Sequence, residues 1–124
     1  MNKLLLATAA AGALVALPGN ALACRGEFLG SYNTRISRQD LFASDGLRLT
    51  AVGAILQQDR ANYHRFNRRD RGDGYDDIFG SAEARAQIPR WLHEVTPRAR
   101  AAILRGAAWI NVQVYAGCID VRLG

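Results

Sequence analysis

Trp109-Ile-Asn-Val-Gln-Val-Tyr-Ala-Gly-Cys-Ile-Asp-Val-Arg-Leu123 is the stretch whose reading decides the fold. Apolar and polar residues alternate on both sides of Ala116-Gly117, as they do in strands with one buried face. If Tyr115 pairs with Cys118, then Val114 meets Ile119, Val112 meets Val121 and Ile110 meets Leu123, and all six apolar residues share one side. A slip of one residue would destroy that agreement, so the sequence predicts a C-terminal β-hairpin with Cys118 on its more polar face.

Working outward from the hairpin, Thr96-Pro97 opens a helix that Gly106 closes. Threonine caps, proline suits the first helical position, and glycine tolerates the left-handed backbone that follows the last turn. Upstream, Ser81 as N-cap and Glu83 in the first turn start a helix expected to run toward Glu94, bent or split at Pro89. Ile78-Phe79 reads as an apolar plug before it. Between Leu47 and Phe66, the residues Leu49, Val52, Ile55, Leu56, Tyr63 and Phe66 recur at steps of three, four and seven, the stripe of a core-facing helix. Ser37 to Thr50 is polar with Leu41 and Phe42 as anchors, and Ser44-Asp45-Gly46 is either a turn or the entry to that helix. Phe28, Tyr32, Thr34 and Ile36 at even spacing form a strand, weakened by Gly26 and Gly30 and therefore placed near a sheet edge. Together these elements predict one small α+β domain over residues 24–124, with about three helices packed on a small antiparallel sheet that contains the C-terminal hairpin.

Residues 1–23 read as a cleavable secretory signal: Asn2-Lys3, an apolar run from Leu4 to Leu17, and Ala21-Leu22-Ala23 as a small-residue cleavage site. The apolar run is shorter than the ~20 residues of a membrane span, so no transmembrane segment is expected. A periplasmic or secreted location follows. An exported chain with two cysteines, Cys24 and Cys118, suggests one disulfide. The rival is a lipid anchor at Cys24, which directly follows the cleavage point; the lipobox resemblance is imperfect, with Ala21 where leucine is usual, and lipidation would leave Cys118 unpaired. Removing the signal removes Lys3, the only lysine, and leaves 15 arginines against 11 acids.

Charge is most concentrated between Asp59 and Asp77. Asp59 falls inside the apolar arc of its helix, where a carboxylate needs a partner. The architectural reading is a buried ion pair with an arginine from another element; the functional reading is an acid or base in a cleft, as in a small hydrolase or lyase. Arg60 and His64 share a face beside that arc, and with Arg65, Arg68 and Arg69 they make a candidate anion-binding cluster mixed with Tyr63 and Phe66. Tyr63 and Phe66 are expected to face the core. Asp70, Asp73, Asp76 and Asp77 fail the EF-hand spacing and are expected to pair with Arg68, Arg69 and Arg71 rather than hold calcium. His64 and His93 lie outside zinc-binding spacings, and the sequence holds no phosphate-binding glycine loop or nucleophile elbow. No metal or cofactor is implied. These readings point to a non-enzymatic envelope or binding module that docks an anionic envelope polymer, a lipid or an acidic protein. Export makes nucleic acid an unlikely partner; a purely structural accessory role is the remaining alternative.

Overall fold

The computed structural model of the protein describes residues 23–124; the expected signal segment lies outside them but for its last residue. The C-terminal hairpin forms in the register that its alternation dictates, joining strand β3 (Ala108–Tyr115) to β4 (Cys118–Leu123), the third and fourth strands in chain order, with Tyr115 opposite Cys118 and Val112 opposite Val121. Gly117 supplies the positive φ (77°) that closes the two-residue loop. Ile110, Val112, Val114, Ile119 and Val121 are buried. Leu123 departs from the expectation: it sits at the outer end of its strand and is exposed.

Strand β1 (Phe28–Ile36) lies antiparallel to β3 and forms one edge of the sheet. Its inward file is Tyr32, Thr34 and Ile36, all buried, while Phe28 is exposed. The other edge is strand β2 (Leu92–Val95), which runs parallel to β4, so the sheet is mixed, in the order β1-β3-β4-β2, rather than antiparallel. This corrects the helix expected to reach Glu94. Ser81 does cap a helix, accepting from the Ala84 N–H, but the segment breaks into two single turns, α2 (Ala82–Arg85) and α3 (Ile88–Trp91). Beyond Pro89 the chain turns extended and pairs with the otherwise free edge of β4, satisfying backbone groups that a further helical turn would leave on an open sheet edge.

Helix α1 (Val52–His64) starts at Val52 rather than Leu47, which is exposed. The Ser44-Asp45-Gly46 segment resolves as a turn: Gly46 adopts φ 90°, its N–H reaches the Ala43 carbonyl at 2.8 Å, and Phe42 bridges to Arg48. A short 3-10 turn, Arg38–Leu41, precedes it. Helix α4 (Pro97–Arg105) has the expected Thr96 cap and ends at Gly106 with φ 73°. Helices α1 and α4 and the paired turns α2 and α3 form three helical segments on one face of the sheet, and the fold is α+β. Gly53 lets α1 approach α3, because a Cβ there would come within 2.9 Å of the Pro89 backbone. Phe79 plugs the core and meets Tyr32 edge-on. Among the described residues no helix is long and apolar enough to cross a membrane.

Cys24 and Cys118 form a disulfide across 94 residues, which commits the Cys24 sulfur and leaves no thiol there for the lipid alternative. A loop that long has the largest effect on the unfolded ensemble. Replacing both cysteines by serine is expected to lower the unfolding free energy by about 2 to 4 kcal/mol in urea titrations, with little change in the native circular dichroism spectrum.

Candidate functional site

At its C-terminal end α1 is covered on two sides, by β1 and by the loop of residues 67–77. The loop is tied to the edge of β1: the Gly74 N–H donates to the Asn33 carbonyl at 2.7 Å, and the Arg35 N–H donates to Asp73 Oδ1 at 2.9 Å. Gly72 lies flat on the Trp109 indole, where a Cβ would overlap the ring. These contacts cap the open edge of the sheet. They also close a second, polar core over the helix.

Arg60 occupies the centre of that core with no exposed surface. Its Nε donates to Asp59 Oδ2 (2.8 Å), Nη1 to Asp76 Oδ2 (2.8 Å) and to the Gly74 carbonyl (3.0 Å), and Nη2 to Thr34 Oγ1 (3.0 Å). The guanidinium carbon lies 4.3 Å from the ring centroid of Tyr32 and 4.5 Å from that of Tyr63. Desolvated cation–π contacts of this kind contribute about 2 kcal/mol. Asp76 binds a further donor, His64 Nε2 at 2.8 Å, while its other oxygen accepts the backbone N–H groups of Ile78 and Phe79. A second branch runs from Asn62 to Asp40, whose other oxygen accepts the Ser37 N–H. Among the described residues no buried side-chain polar atom is left without a partner.

The candidate residues therefore divide. Arg60 and His64 turn inward and are not part of an exposed cluster, since the loop closes over the face that the helical wheel leaves to solvent. Asp59 is buried, and its arginine is its own neighbour rather than one from another element. Because α1 is packed on two sides, adjacent positions 100° apart both face protein. Arg65 and Arg68 are exposed, each with its guanidinium carbon within 6 Å of the Phe66 ring centroid. Phe66 is a partly exposed edge residue rather than core. Arg69 stacks on Tyr63 at 4.1 Å and donates to the Tyr63 carbonyl.

The aspartates do not pair with Arg68, Arg69 and Arg71. Asp70 accepts from Ser37 Oγ (2.7 Å), Asp73 from Thr34 and two backbone N–H groups, and Asp76 from Arg60 and His64; Asp77 is exposed. Thr34, Asp40, Asn62 and Tyr32 belong to this network and were not singled out by their sequence pattern. Thr34 carried a readable signal, being a hydroxyl in the inward file of β1.

Burial pushes the Asp59 carboxyl up to about 7 against the pull of Arg60, with Asp40 and Asp73 adding to the rise. The hydrogen-bond geometry agrees with a proton there. Thr34 has one hydroxyl hydrogen, yet its oxygen lies 3.0 Å from Asp59 and 3.0 Å from Asp73 while accepting from Arg60. A protonated Asp59 donating to Thr34, with Thr34 donating to Asp73, satisfies every contact. Burial likewise raises Asp40 to about 6, although the Ser37 N–H and the Asn62 amide oppose it. Burial also works against ionised Asp76, but hydrogen bonds from His64, Arg60 and the Phe79 N–H outweigh it and hold that carboxyl below its usual range. Arg60, facing Asp59 and Asp76, stays charged.

Around Asp59 the network is sealed. Asp59 reaches solvent with 1% of its surface and meets no histidine, and a cleft on the sheet and another on α1 are lined by other residues. An acid or base needs contact with the group it serves. Asp59 has none outside the protein.

Replacing Arg60 with Met is expected to cost about 3 to 5 kcal/mol, because two buried carboxyls each lose the guanidinium as a donor; unfolding titrations read this directly. Between about pH 4 and 7 the folded chain keeps protons on Asp59 and Asp40 that the unfolded chain has released, so stability should fall as pH rises through that window. Below about pH 4 the sign reverses, since protonating Asp76 removes a carboxylate that the fold holds ionised. In a pH series of unfolding titrations, Asp59→Asn should make the decline shallower between about pH 4 and 7, most clearly toward pH 7, where Asp40, at about 6, is already mostly deprotonated in the folded chain. Compared with protein-family models, with curated proteins and with solved structures, the chain finds no match.

Proposed function

We propose that this protein is an exported, non-enzymatic binding module of the envelope or periplasm, docking an anionic partner through the arginine edge at the end of α1. The observation that carries this reading is the segregation of charge in the loop. Asp70 turns onto Ser37, Asp73 onto β1 and Asp76 onto α1, while Arg65 and Arg68 stay outside around Phe66 and enter none of the ion pairs among the described residues. A sequence block that looks self-neutralising thus presents a positive, partly apolar edge. Arginine's planar fork suits phosphate and carboxylate oxygens, and the Phe66 ring offers apolar surface between the two guanidinium groups. Anionic lipid, an acidic envelope polymer or an acidic protein carries such groups. Arg69 borders the edge, but its stacking on Tyr63 gives it an architectural task as well.

The secretory pattern of residues 1–23 and the disulfide support an oxidising, extracytoplasmic location. Two tightly bound cations near an anionic surface contribute about 1 kcal/mol each. The double variant Arg65→Ala/Arg68→Ala is therefore expected to weaken binding to vesicles of anionic phospholipid, or to a soluble polyphosphate, by roughly 30-fold while leaving the thermal midpoint unchanged. Binding of the parent should fall steeply as salt rises. Salt-insensitive binding, or binding undiminished in the double variant, contradicts the reading. If the parent binds neither probe, a purely structural accessory role takes its place.

A further inference from the structure

A second constellation lies at the far end of the sheet from the arginine edge. Cys24, Cys118, His93 and Asp120 come from three parts of the chain, and each offers a ligand atom within 4.8 Å of the others. His93 Nδ1 lies 2.9 Å from Asp120 Oδ1 and 4.0 Å from Cys24 Sγ. Alternation along β4 puts Cys118 and Asp120 on one face. The pairing of β2 with β4 slips at His93: Leu92 faces Ile119 and Glu94 faces Asp120, so His93 is the extra, bulged residue. Bulges re-aim side chains, and this one brings the imidazole onto the face of the sulfurs.

We propose that, once its disulfide is reduced, this cluster is a binding site for a divalent metal of the zinc class, with Cys24, Cys118, His93 and Asp120 as its four ligands. Two thiolates, an imidazole and a carboxylate form a donor set that zinc accepts in tetrahedral geometry. Zinc bond lengths of about 2.0 to 2.3 Å give tetrahedral edges of about 3.4 to 3.8 Å between donor atoms. The nitrogen-to-oxygen and sulfur-to-nitrogen separations are already within about 0.5 Å of those edges. The two sulfurs must part, and the other donor atoms, all within 4.8 Å of one another, need small shifts to reach those edges.

The segment after Cys24 has an anchor on the hairpin besides the covalent bond. The Ala116 N–H donates to the Glu27 carbonyl at 2.8 Å, and Gly26 sits so close to the Ala116 carbonyl that a Cβ would clash. Both contacts pin the segment after Cys24 to the hairpin turn before Cys118. The cluster is partly exposed, with His93 and Asp120 side chains at 30% and 32%, so a reductant and an ion can reach it.

The chemistry balances with a thiol reductant. Two thiols, or one dithiol, supply two electrons and two protons, becoming a disulfide while Cys24 and Cys118 become thiols. The ion then displaces those two protons to solvent, binds neutral His93 through Nδ1, and takes one Asp120 oxygen. Disulfide and metal exclude each other, because both use the same sulfur electrons. Either one crosslinks the segment before β1 to β4, and the metal would also fasten β2 through His93.

The test uses the full chain, reduced with a phosphine under inert gas and titrated with cobalt(II), then with zinc. One cobalt per reduced chain is expected, with thiolate charge-transfer absorption and the intense visible bands of tetrahedral cobalt, both abolished by zinc. The oxidised chain should show neither. Zinc should raise the thermal midpoint of the reduced chain and leave that of the oxidised chain unchanged. His93→Ala and Asp120→Ala should each weaken binding at least tenfold, and Cys24→Ser/Cys118→Ser should abolish the charge-transfer band. Equal cobalt affinity in the parent and both single variants would mean an adventitious dithiolate and overturn the proposal. So would absence of one-to-one binding. If reduction loosens the fold, recovery of the near-ultraviolet circular dichroism on zinc addition supports the site, and binding without recovery counts against it.

Discussion

A guanidinium with no exposed surface must find partners for its nitrogens, and each nitrogen of Arg60 does so, through four hydrogen bonds that draw together β1, α1 and the loop that follows α1. The isolated burial of a charge costs many kcal/mol, so the loop cannot leave without exposing or orphaning it. Two carboxyls and one guanidinium would carry a net negative charge. The rise in the Asp59 pKa and the ionised state of Asp76 are the two halves of how the site settles that excess. Tyr32 and Tyr63 exclude water from the guanidinium faces and strengthen each interaction around it. Such a network specifies one arrangement of loop and helix more sharply than apolar contacts would.

The same constraint creates the exposed chemistry. Aspartates that serve buried donors are unavailable to the arginines beside them in sequence. Arg65 and Arg68 consequently meet an aromatic ring and solvent, and a locally balanced segment becomes a positive edge. Architecture and surface charge are thus two consequences of one folding event. At the other end of the sheet, the disulfide, the bulge at His93 and Asp120 gather reactive side chains independently of the buried arginine.

Much of the frame was legible in the sequence because it rests on short-range rules. Period-two alternation fixed the hairpin register, capping residues marked α4 and the start of α2, and the inward file of β1 showed Tyr32, Thr34 and Ile36. Errors gathered where distant segments compete for one stretch. Leu92–Val95 became a strand because the edge of β4 was open to it, and the Phe66 position slid outward because α1 ends at His64. A helical wheel puts Arg60 and His64 toward solvent because it assumes a single buried face, whereas α1 has two.

By itself, the sequence determined an α+β domain with a C-terminal hairpin, one possible disulfide pair, and an aspartate at position 59 in an arc where charge needs compensation. Those features follow from periodicity, cysteine count and the cost of burying a carboxylate. Only the tertiary structure decided which arginine compensates Asp59, which arginines remain outside, and that His93 joins both cysteines and Asp120. Each of those outcomes depends on residues that are far apart in the chain yet within a few ångströms of one another, and hydrogen bonding and ligation act over that distance alone.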